Sequence, residues 1–257
     1  MRKIIEFTSH FDGSKRFAVV RAPDDLGDKP LPLVIVPHAA GFSAEATAAY
    51  WRGIPERRGV IAVFPFGHGR KLDLYCLGWR GQIADLASLP QVLAGKGYSV
   101  DTRRIYSVGI SMGGLESLLL AGKHPGLLAG VAAYNAVVDL NTWFYDCDDT
   151  IRSSMIEEMG GTPDQIPGDY LARSPINFAE VIAASPVILY YDPDDDMVQF
   201  QEDKQSGLLY RRMTATAPNA RIEERHHSFG HFYIRPNRAL DWLLDGEPQE
   251  SGVSLGN

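Results

Sequence analysis

The strongest chemical signal in the sequence is a serine flanked by glycines at two-residue spacing. Residues 109–114 read GISMGG, follow a strand-like run at 104–108 and precede a helical pattern. Glycines two positions before and after a serine let strand and helix backbones pass closely around a sharp turn, which exposes the hydroxyl. This context predicts a nucleophilic serine, and we expect Ser111 to fill that role.

A second match to the same pattern lies near the C-terminus. Residues 252–256 read GVSLG and centre on Ser254. No strand pattern precedes this copy, too few residues follow for a helix, and the surrounding segment is rich in Gly, Ser and Glu. We therefore expect 246–257 to be a flexible tail and Ser254 not to be a nucleophile.

A serine nucleophile needs a base to accept its proton and an acid to orient that base. Acidic side chains cluster after a predicted strand at 186–191, at Asp192, Asp194, Asp195 and Asp196. An acid just past a strand end lies at the same sheet edge as Ser111. Asp195 is preferred because Val198, three residues later, can pack back while the carboxylate turns inward. Asp194 and Asp196 are the alternatives.

The alternating aspartates also resemble the start of a calcium loop. Asp192, Asp194 and Asp196 have the required spacing, but Met197 stands where the loop needs glycine and Asp203 where it needs glutamate. We therefore expect no calcium site.

Three histidines follow the acidic cluster, at 226, 227 and 231. We expect His231 to be the general base because Gly230 permits the sharp turn that brings an imidazole over the sheet edge. His227 is the alternative. His227 and His231 are four residues apart, as in some zinc sites, but Gly230 disfavours a helix there and HExxH is absent. The sequence predicts no metal and no cofactor.

The tetrahedral intermediate of such a reaction needs two N–H donors for its oxyanion. The backbone N–H of Met112, at the start of a helix, is one candidate. The other is the N–H of Ala40, in a loop of small residues after the strand at 33–36, where we expect His38 to be structural. Aromatic residues could line a substrate pocket, and we assign Phe42, Trp79 and Trp143 to that role.

The elements that position these residues follow from hydrophobic patterning. Apolar or β-branched runs predict strands at 4–8, 17–21, 33–36, 60–64, 104–109, 128–133, 186–191 and 221–224. Helical patterns lie at 44–58, 83–94, 113–123 and 238–244. Several strands are apolar throughout, as expected when both faces are buried. The first two strands indicate a hairpin or edge pair, and the later alternation predicts a doubly wound, mostly parallel α/β sheet.

The stretch 141–184 is too long for a simple connection. It contains an aromatic cluster, an acidic patch and a helical pattern near 151–159. We interpret it as a small lid insertion over the active-site edge of a single domain spanning 1–245.

Composition limits the classes of partner. The chain has 257 residues, 45% hydrophobic content and a formal net charge of −7. Without a basic stripe or an apolar run near ~20 residues, we expect no nucleic-acid partner and no membrane partner. Met1 is not followed by the apolar core of a signal peptide, and the two cysteines cannot form a disulfide framework, so we expect a cytoplasmic location. The oligomeric state stays open.

Taken together, these segments resemble the α/β-hydrolase superfamily. The resemblance covers nearly the whole chain, through the loop at 38–41, the turn at 109–114, the acid loop and Gly230-His231. Residues 100–106 and 174–178 resemble the esterase and prolyl oligopeptidase-type branch. The chain differs from that pattern at His38-Ala39, where the superfamily usually has His-Gly.

The resemblance implies a serine hydrolase that forms an acyl-enzyme intermediate. The resulting hypothesis is hydrolysis of a small-molecule carboxylic ester by Ser111, Asp195 and His231. A peptidase or amidase of the prolyl oligopeptidase type is the nearest alternative. A non-catalytic ligand-binding module on the same fold is the other.

Overall fold

The computed structural model of the protein describes residues 1–27 and 29–245. The predicted tail, 246–257, and Ser254 lie outside the described residues.

Within the described ranges, eight strands form one mixed sheet. In chain order they are β1 (Arg2–Thr8), β2 (Lys15–Arg21), β3 (Leu31–Ile35), β4 (Ile61–Pro65), β5 (Val100–Ile110), β6 (Gly130–Tyr134), β7 (Val187–Tyr191) and β8 (Ile222–His226). Their order across the sheet is β1-β2-β4-β3-β5-β6-β7-β8. β1 and β2 form the predicted hairpin, β2 pairs antiparallel with β4, and every other pairing is parallel.

Helices cover the sheet and connect its strands. They are α1 (Ala44–Tyr50), α2 (Ile54–Arg58), α3 (Arg80–Gly95), α4 (Met112–Lys123), α5 (Leu140–Asp146), α6 (Asp149–Met159), α7 (Pro167–Ala172), α8 (Ala179–Ile182), α9 (Gln201–Lys204), α10 (Ser206–Thr216) and α11 (Pro236–Asp245). A 3-10 helix spans Pro175–Phe178. None of the described helices is both long and apolar enough to span a bilayer.

The prediction of one continuous helix over 44–58 is wrong. The structure divides it into α1 and α2, because Gly53 adopts a left-handed conformation with φ 74° and Pro55 lies in the first turn of α2. Proline lacks the N–H that a continuous helix would use and is best tolerated at a helix start.

Apolar side chains alternate between the two faces of the sheet. In β3, Leu33 and Ile35 belong to one buried cluster, whereas Val34 belongs to the other. All three have no exposed surface. Burial on both faces explains why this strand reads as a continuous apolar run, as parallel sheets generally do.

Strand order places the functional residues at one edge. The chain passes from β3 outward to β4 and then crosses back past β3 to β5. Loops at the carboxyl ends of β3 and β5 therefore diverge at a topological switch point, where open α/β sheets bind ligands. The segment between β6 and β7, which contains α5 to α8, includes the insertion predicted at 141–184.

Candidate active site

The turn after β5 holds Ser111 in a strained conformation. Its backbone has φ 56° and ψ −122°, which is uncommon for a residue other than glycine and costs on the order of 1–3 kcal/mol. The Ser111 N–H donates to the Tyr134 carbonyl oxygen at 2.8 Å, and its own carbonyl accepts from the Leu115 N–H at 3.0 Å. Neighbouring β6 and the first turn of α4 thus stabilise the bend.

The glycine spacing predicted around this turn has a direct steric reason. A Cβ atom on Gly109 would lie 2.1 Å from the Gly113 carbonyl oxygen. Larger side chains would therefore separate β5 from α4. The close approach keeps Ser111 at the sheet edge, where it lines a cavity of about 80 Å³.

Asp195 faces the imidazole of His231. The Nδ1 atom of His231 lies 2.7 Å from Asp195 Oδ2 and 3.0 Å from Oδ1. Oδ1 also accepts the backbone N–H groups of Met197 at 2.9 Å and Val198 at 3.0 Å. These bonds orient the carboxylate, and its side chain is fully buried. Of the aspartates at 192–196, the one preferred from the sequence is thus the one that contacts His231.

His231 lines the same cavity as Ser111. Gly230 adopts φ 76°, the left-handed conformation expected of a sharp turn before the histidine. The alternative base, His227, lies instead beside Asp192, with Nδ1 3.8 Å from Oδ2. Burial lowers the pKa of His227. The structure therefore brings together Ser111, Asp195 and His231 and places His227 with another carboxylate.

Two buried residues, Asn135 and Asp192, hold the histidine loop, a role that the sequence analysis assigned to neither. Asn135 Nδ2 donates to the His231 carbonyl at 2.7 Å, and its Oδ1 accepts the Asp192 N–H at 2.8 Å. Asp192 Oδ2 accepts the Gly230 N–H at 2.7 Å. Both residues directly follow apolar strands, β6 and β7. A polar residue at such a position is the signal that could have identified Asn135.

The loop after β3 brings small residues to the cavity. Ala39 and Ala40 both line it. The Gly41 N–H donates to the Leu74 carbonyl at 2.9 Å, and His38 Nδ1 contacts the Ala39 carbonyl at 2.9 Å. Burial lowers the pKa of His38, and a neutral ring with a protonated Nδ1 can donate this bond. This bond ties the Nδ1 side of the His38 ring to its own loop.

Met112 is the first residue of α4. Since the first N–H groups of a helix have no intrahelical acceptor, its backbone donor is available at the turn that carries Ser111. The loop with Ala40 lies close to the start of α4. A Cβ on Gly113 would lie only 2.4 Å from the Pro37 carbonyl oxygen. This arrangement can supply two N–H donors to one oxyanion.

The predicted pocket aromatics have different positions. Trp143, from α5, lines the cavity of Ser111, and its Nε1 donates to the Met197 carbonyl at 3.0 Å. Phe42 lines an adjoining apolar cavity of about 240 Å³, and Ala39 and Phe232 line it as well. The rings of Phe42 and Phe232 are 5.7 Å apart between centroids.

The substrate-binding role predicted for Trp79 needs correction. Trp79 lies at the start of α3 and lines a different cavity, where the Arg173 guanidinium is 4.7 Å from its ring centroid. Its neighbour Leu77 faces the Ser111 cavity instead. The sequence could not show which residue of this short segment points toward Ser111. It also missed Tyr75, Met155 and Phe232, which line that cavity.

Within residues 1–27 and 29–245, no group of three or more His, Cys, Asp or Glu side chains has an arrangement that could hold a metal ion. The chemistry available at this edge is that of a hydroxyl, an imidazole, a carboxylate and backbone N–H donors.

The model of the prolyl oligopeptidase family matches residues 80–245, which is more than half of the chain and includes Ser111, Asp195 and His231. An uncharacterized peptidase of Bacillus subtilis (strain 168), YtmA, is 31% identical over 103 residues. That alignment covers 40% of this chain and 39% of YtmA.

Solved structures have the same fold at low sequence identity. A puromycin-hydrolyzing peptidase of Mycobacterium tuberculosis is 17% identical with a TM-score of 0.75, covering 94% of this chain and 37% of that one. S-formylglutathione hydrolase (FrmB) of Staphylococcus aureus is 13% identical with a TM-score of 0.68, covering 95% and 98%. The chain therefore spans less than two-fifths of the two peptidases but nearly all of the hydrolase. These likenesses confirm the predicted α/β-hydrolase fold.

Proposed function

The chain belongs to the prolyl oligopeptidase family of serine hydrolases, and from that premise we propose that it hydrolyses neutral carboxylic esters through an acyl-enzyme intermediate. His231 removes the proton from Ser111 as the serine oxygen attacks the ester carbonyl. Asp195 holds the Nδ1 side of the ring and stabilises its charged form. The N–H groups of Ala40 and Met112 stabilise the oxyanion.

The second half of the reaction reverses these roles. The protonated His231 donates its proton to the leaving alcohol oxygen as the carbon–oxygen bond breaks. His231 then removes a proton from water, which attacks the acyl-enzyme, and the acid leaves as Ser111 regains its proton.

The observation that supports a neutral substrate is the absence of formally charged side chains among the described residues that line the two cavities beside Ser111. Among the described residues that line the 80 Å³ cavity and the adjoining 240 Å³ cavity, none carries a formal charge when His231 is neutral. A substrate ammonium or carboxylate would lose its hydration there without an ionic partner, which is costly. Neutral substrates are therefore favoured.

The sizes of the two cavities indicate where the substrate groups bind. Ala39 and Phe232 line both cavities and form their shared boundary. The reacting carbonyl occupies the smaller cavity beside Ser111. The larger apolar group of the ester packs in the 240 Å³ cavity against Phe42, Tyr50 and Trp51.

A peptidase is the second candidate, and it is supported by the family match and by the peptidase names of several relatives. The same three residues can cleave an amide. The two functions differ in whether the site can protonate and release an amine.

Two measurements test the proposal. A fluorophosphonate probe should label the wild-type protein at Ser111 and leave Ser111→Ala unlabelled. Absence of labelling in folded wild-type protein would favour a ligand-binding module without catalysis. A p-nitrophenyl ester and the p-nitroanilide of the same neutral acid should then give ester turnover alone. Anilide turnover that disappears in Ser111→Ala would instead assign a peptidase.

A further inference from the structure

A third cavity, of about 330 Å³, lies behind the segment that borders the active site. Leu77 faces the Ser111 cavity, whereas the next residues, Gly78 and Trp79, line the third cavity. Helix α6 divides its methionines in the same way, with Met155 toward Ser111 and Met159 toward the third cavity. Among the described residues, the third cavity and the Ser111 cavity have no lining residue in common.

The third cavity is basic, although the chain has a net charge of −7. Four cationic side chains and one carboxylate, that of Asp169, line it; the cations are Arg70, Arg80, Lys123 and Arg173. Three of these cations, Arg70, Arg80 and Lys123, have no carboxylate at ion-pair distance among the described residues. Such a concentration of positive charge attracts anions.

Arg173 is a buried cation whose terminal donors are unused. Its side chain is only 4% exposed, yet its Nη1 and Nη2 atoms have no hydrogen-bond acceptor. Glu158 does not supply one, because its nearest oxygen is 3.6 Å from Arg173 Nη1. A buried donor without an acceptor is costly. Arg173 lines the cavity, but both Nη atoms lie beneath its wall with essentially no exposed surface, so a ligand reaches them only after a shift of the guanidinium.

Backbone groups of a neighbouring loop fix the position of the Glu158 carboxylate beyond hydrogen-bond distance of Arg173. The N–H groups of residues 70, 71 and 72 donate to this carboxylate at 2.6, 2.8 and 2.8 Å. Glu158 thus orders the loop that contains Arg70 and offers Arg173 only a longer electrostatic contact. The guanidinium is held in place by its position over Trp79.

We propose that this cavity binds a phosphoryl group, with Arg173 as the buried donor and Arg80 and Lys123 as the outer cations. A tetrahedral dianion can accept hydrogen bonds from several directions at once, and guanidinium groups suit its oxygens. The volume is in the range of small-ligand sites and suits both free phosphate and the phosphate of a small monoester. The proposal does not depend on the reaction at Ser111.

Calorimetric titration with sodium phosphate and, separately, with glycerol phosphate tests this site, with sodium chloride balancing the ionic strength. Saturable binding is expected, and the tighter of the two ligands identifies the source of the phosphoryl group. Arg80→Ala and Lys123→Ala should each weaken binding about tenfold, the effect of one charge-assisted hydrogen bond. The control is Arg212→Ala, which removes an exposed cation on α10 that does not line the cavity and should leave Kd unchanged.

Arg173→Lys distinguishes the buried guanidinium from a general charge effect. Lysine keeps the charge but loses the planar pair of donors, so phosphate binding should weaken although the charge is preserved. If this variant fails to fold, the double variant Arg80→Ala/Lys123→Ala provides the same decision from outer positions. Absence of saturable binding to the wild type, unchanged Kd in the double variant, or equally tight binding of acetate would overturn the proposal.

Discussion

The His68–Asp85 pair resembles the His231–Asp195 pair in its local geometry. His68 Nδ1 lies 2.6 Å from Asp85 Oδ2, and His231 Nδ1 lies 2.7 Å from Asp195 Oδ2. All four residues are buried. A serine also accompanies the first pair, since Ser9 Oγ donates to Asp85 Oδ1 at 2.6 Å. Residue types alone would make both groups candidates for nucleophilic catalysis.

The pairs differ in what surrounds the second nitrogen of the imidazole. His68 Nε2 lies 3.3 Å from Asp12 Oδ2, so carboxylates occupy both sides of the ring. The hydroxyl of Ser9 donates to the acid and not to the base. His231, in contrast, lines a cavity together with Ser111. A histidine–carboxylate pair is thus suited to catalysis only when the imidazole also borders a serine and space for a substrate.

The largest effect expected from this difference concerns the two carboxylates. Asp195→Asn should lower kcat about 10⁴-fold, because an amide orients the wrong tautomer of His231 and cannot stabilise its charged form. Asp85→Asn should leave kcat within about threefold of the wild type. Steady-state kinetics with one ester substrate checks both variants. Similar losses in the two would mean that the pairs do not differ in function.

The His68–Asp85 pair should matter for the free energy of unfolding, although it matters little for kcat. Asp85→Ala should lower the free energy of unfolding by about 3 kcal/mol, because it leaves Ser9 and His68 with unpaired buried groups. Asp12→Ala, at a more exposed carboxylate, should lower the free energy of unfolding by less than Asp85→Ala does. Urea unfolding of both variants provides the measurement. An Asp85→Ala protein as stable as the wild type would remove the structural role assigned to His68–Asp85.

A third prediction concerns pH and the network that extends from His68. Gln82 joins the His68 backbone N–H to Glu116, and full burial raises the pKa of Glu116 to about 8. The folded protein then binds a proton that an unfolded chain releases near its ordinary pKa of 4.5. Stability from this group is present below pH 4.5 and is lost as the pH rises toward 8.

Glu116→Gln tests that linkage, since glutamine keeps the contact with Gln82 but does not titrate. The variant should lack the loss of stability between about pH 5 and 8, which in the wild type should be on the order of a few kcal/mol. Urea midpoints across this pH range give the result. Parallel pH profiles for the two proteins would show that Glu116 does not bind the extra proton.

The smallest loss of kcat expected in the active site concerns Asp192, which supports the His231 loop through the Gly230 N–H. Asp192 accepts the Gly230 N–H but lies beside His227, so it is a positioning residue for His231. Asp192→Ala should lower kcat about tenfold with KM unchanged, whereas Asp192→Asn, which can still accept that bond, should recover most of the activity. If the asparagine variant is as impaired as alanine, the charge of Asp192 matters more than its hydrogen bond.

Much of the fold could be predicted because its signals are local. The turn around Ser111 requires small residues at fixed spacing, so the sequence identifies it directly. Strands buried on both faces appear as apolar runs, and all eight predicted strands occur near their expected positions. The break between α1 and α2 was also encoded by Gly53 and Pro55, although the helical period concealed it.

Residues far apart in sequence were harder to assign. Asn135 supports His231 across 96 positions, and Ser9 meets Asp85 across 76. No periodicity predicts such contacts, because they depend on which strands become neighbours and how each loop turns. The same reason explains why Trp79 was assigned to the wrong cavity.

By itself the sequence determined the strained serine turn, the order of acid and base along the chain, and the α/β architecture, since each depends on backbone requirements that a few adjacent residues satisfy. Only the tertiary structure decided which imidazole shares a cavity with Ser111, which one lies between carboxylates, and where Arg80, Lys123 and Arg173 converge. Those outcomes depend on the packing of distant segments, and side-chain identity alone does not fix it.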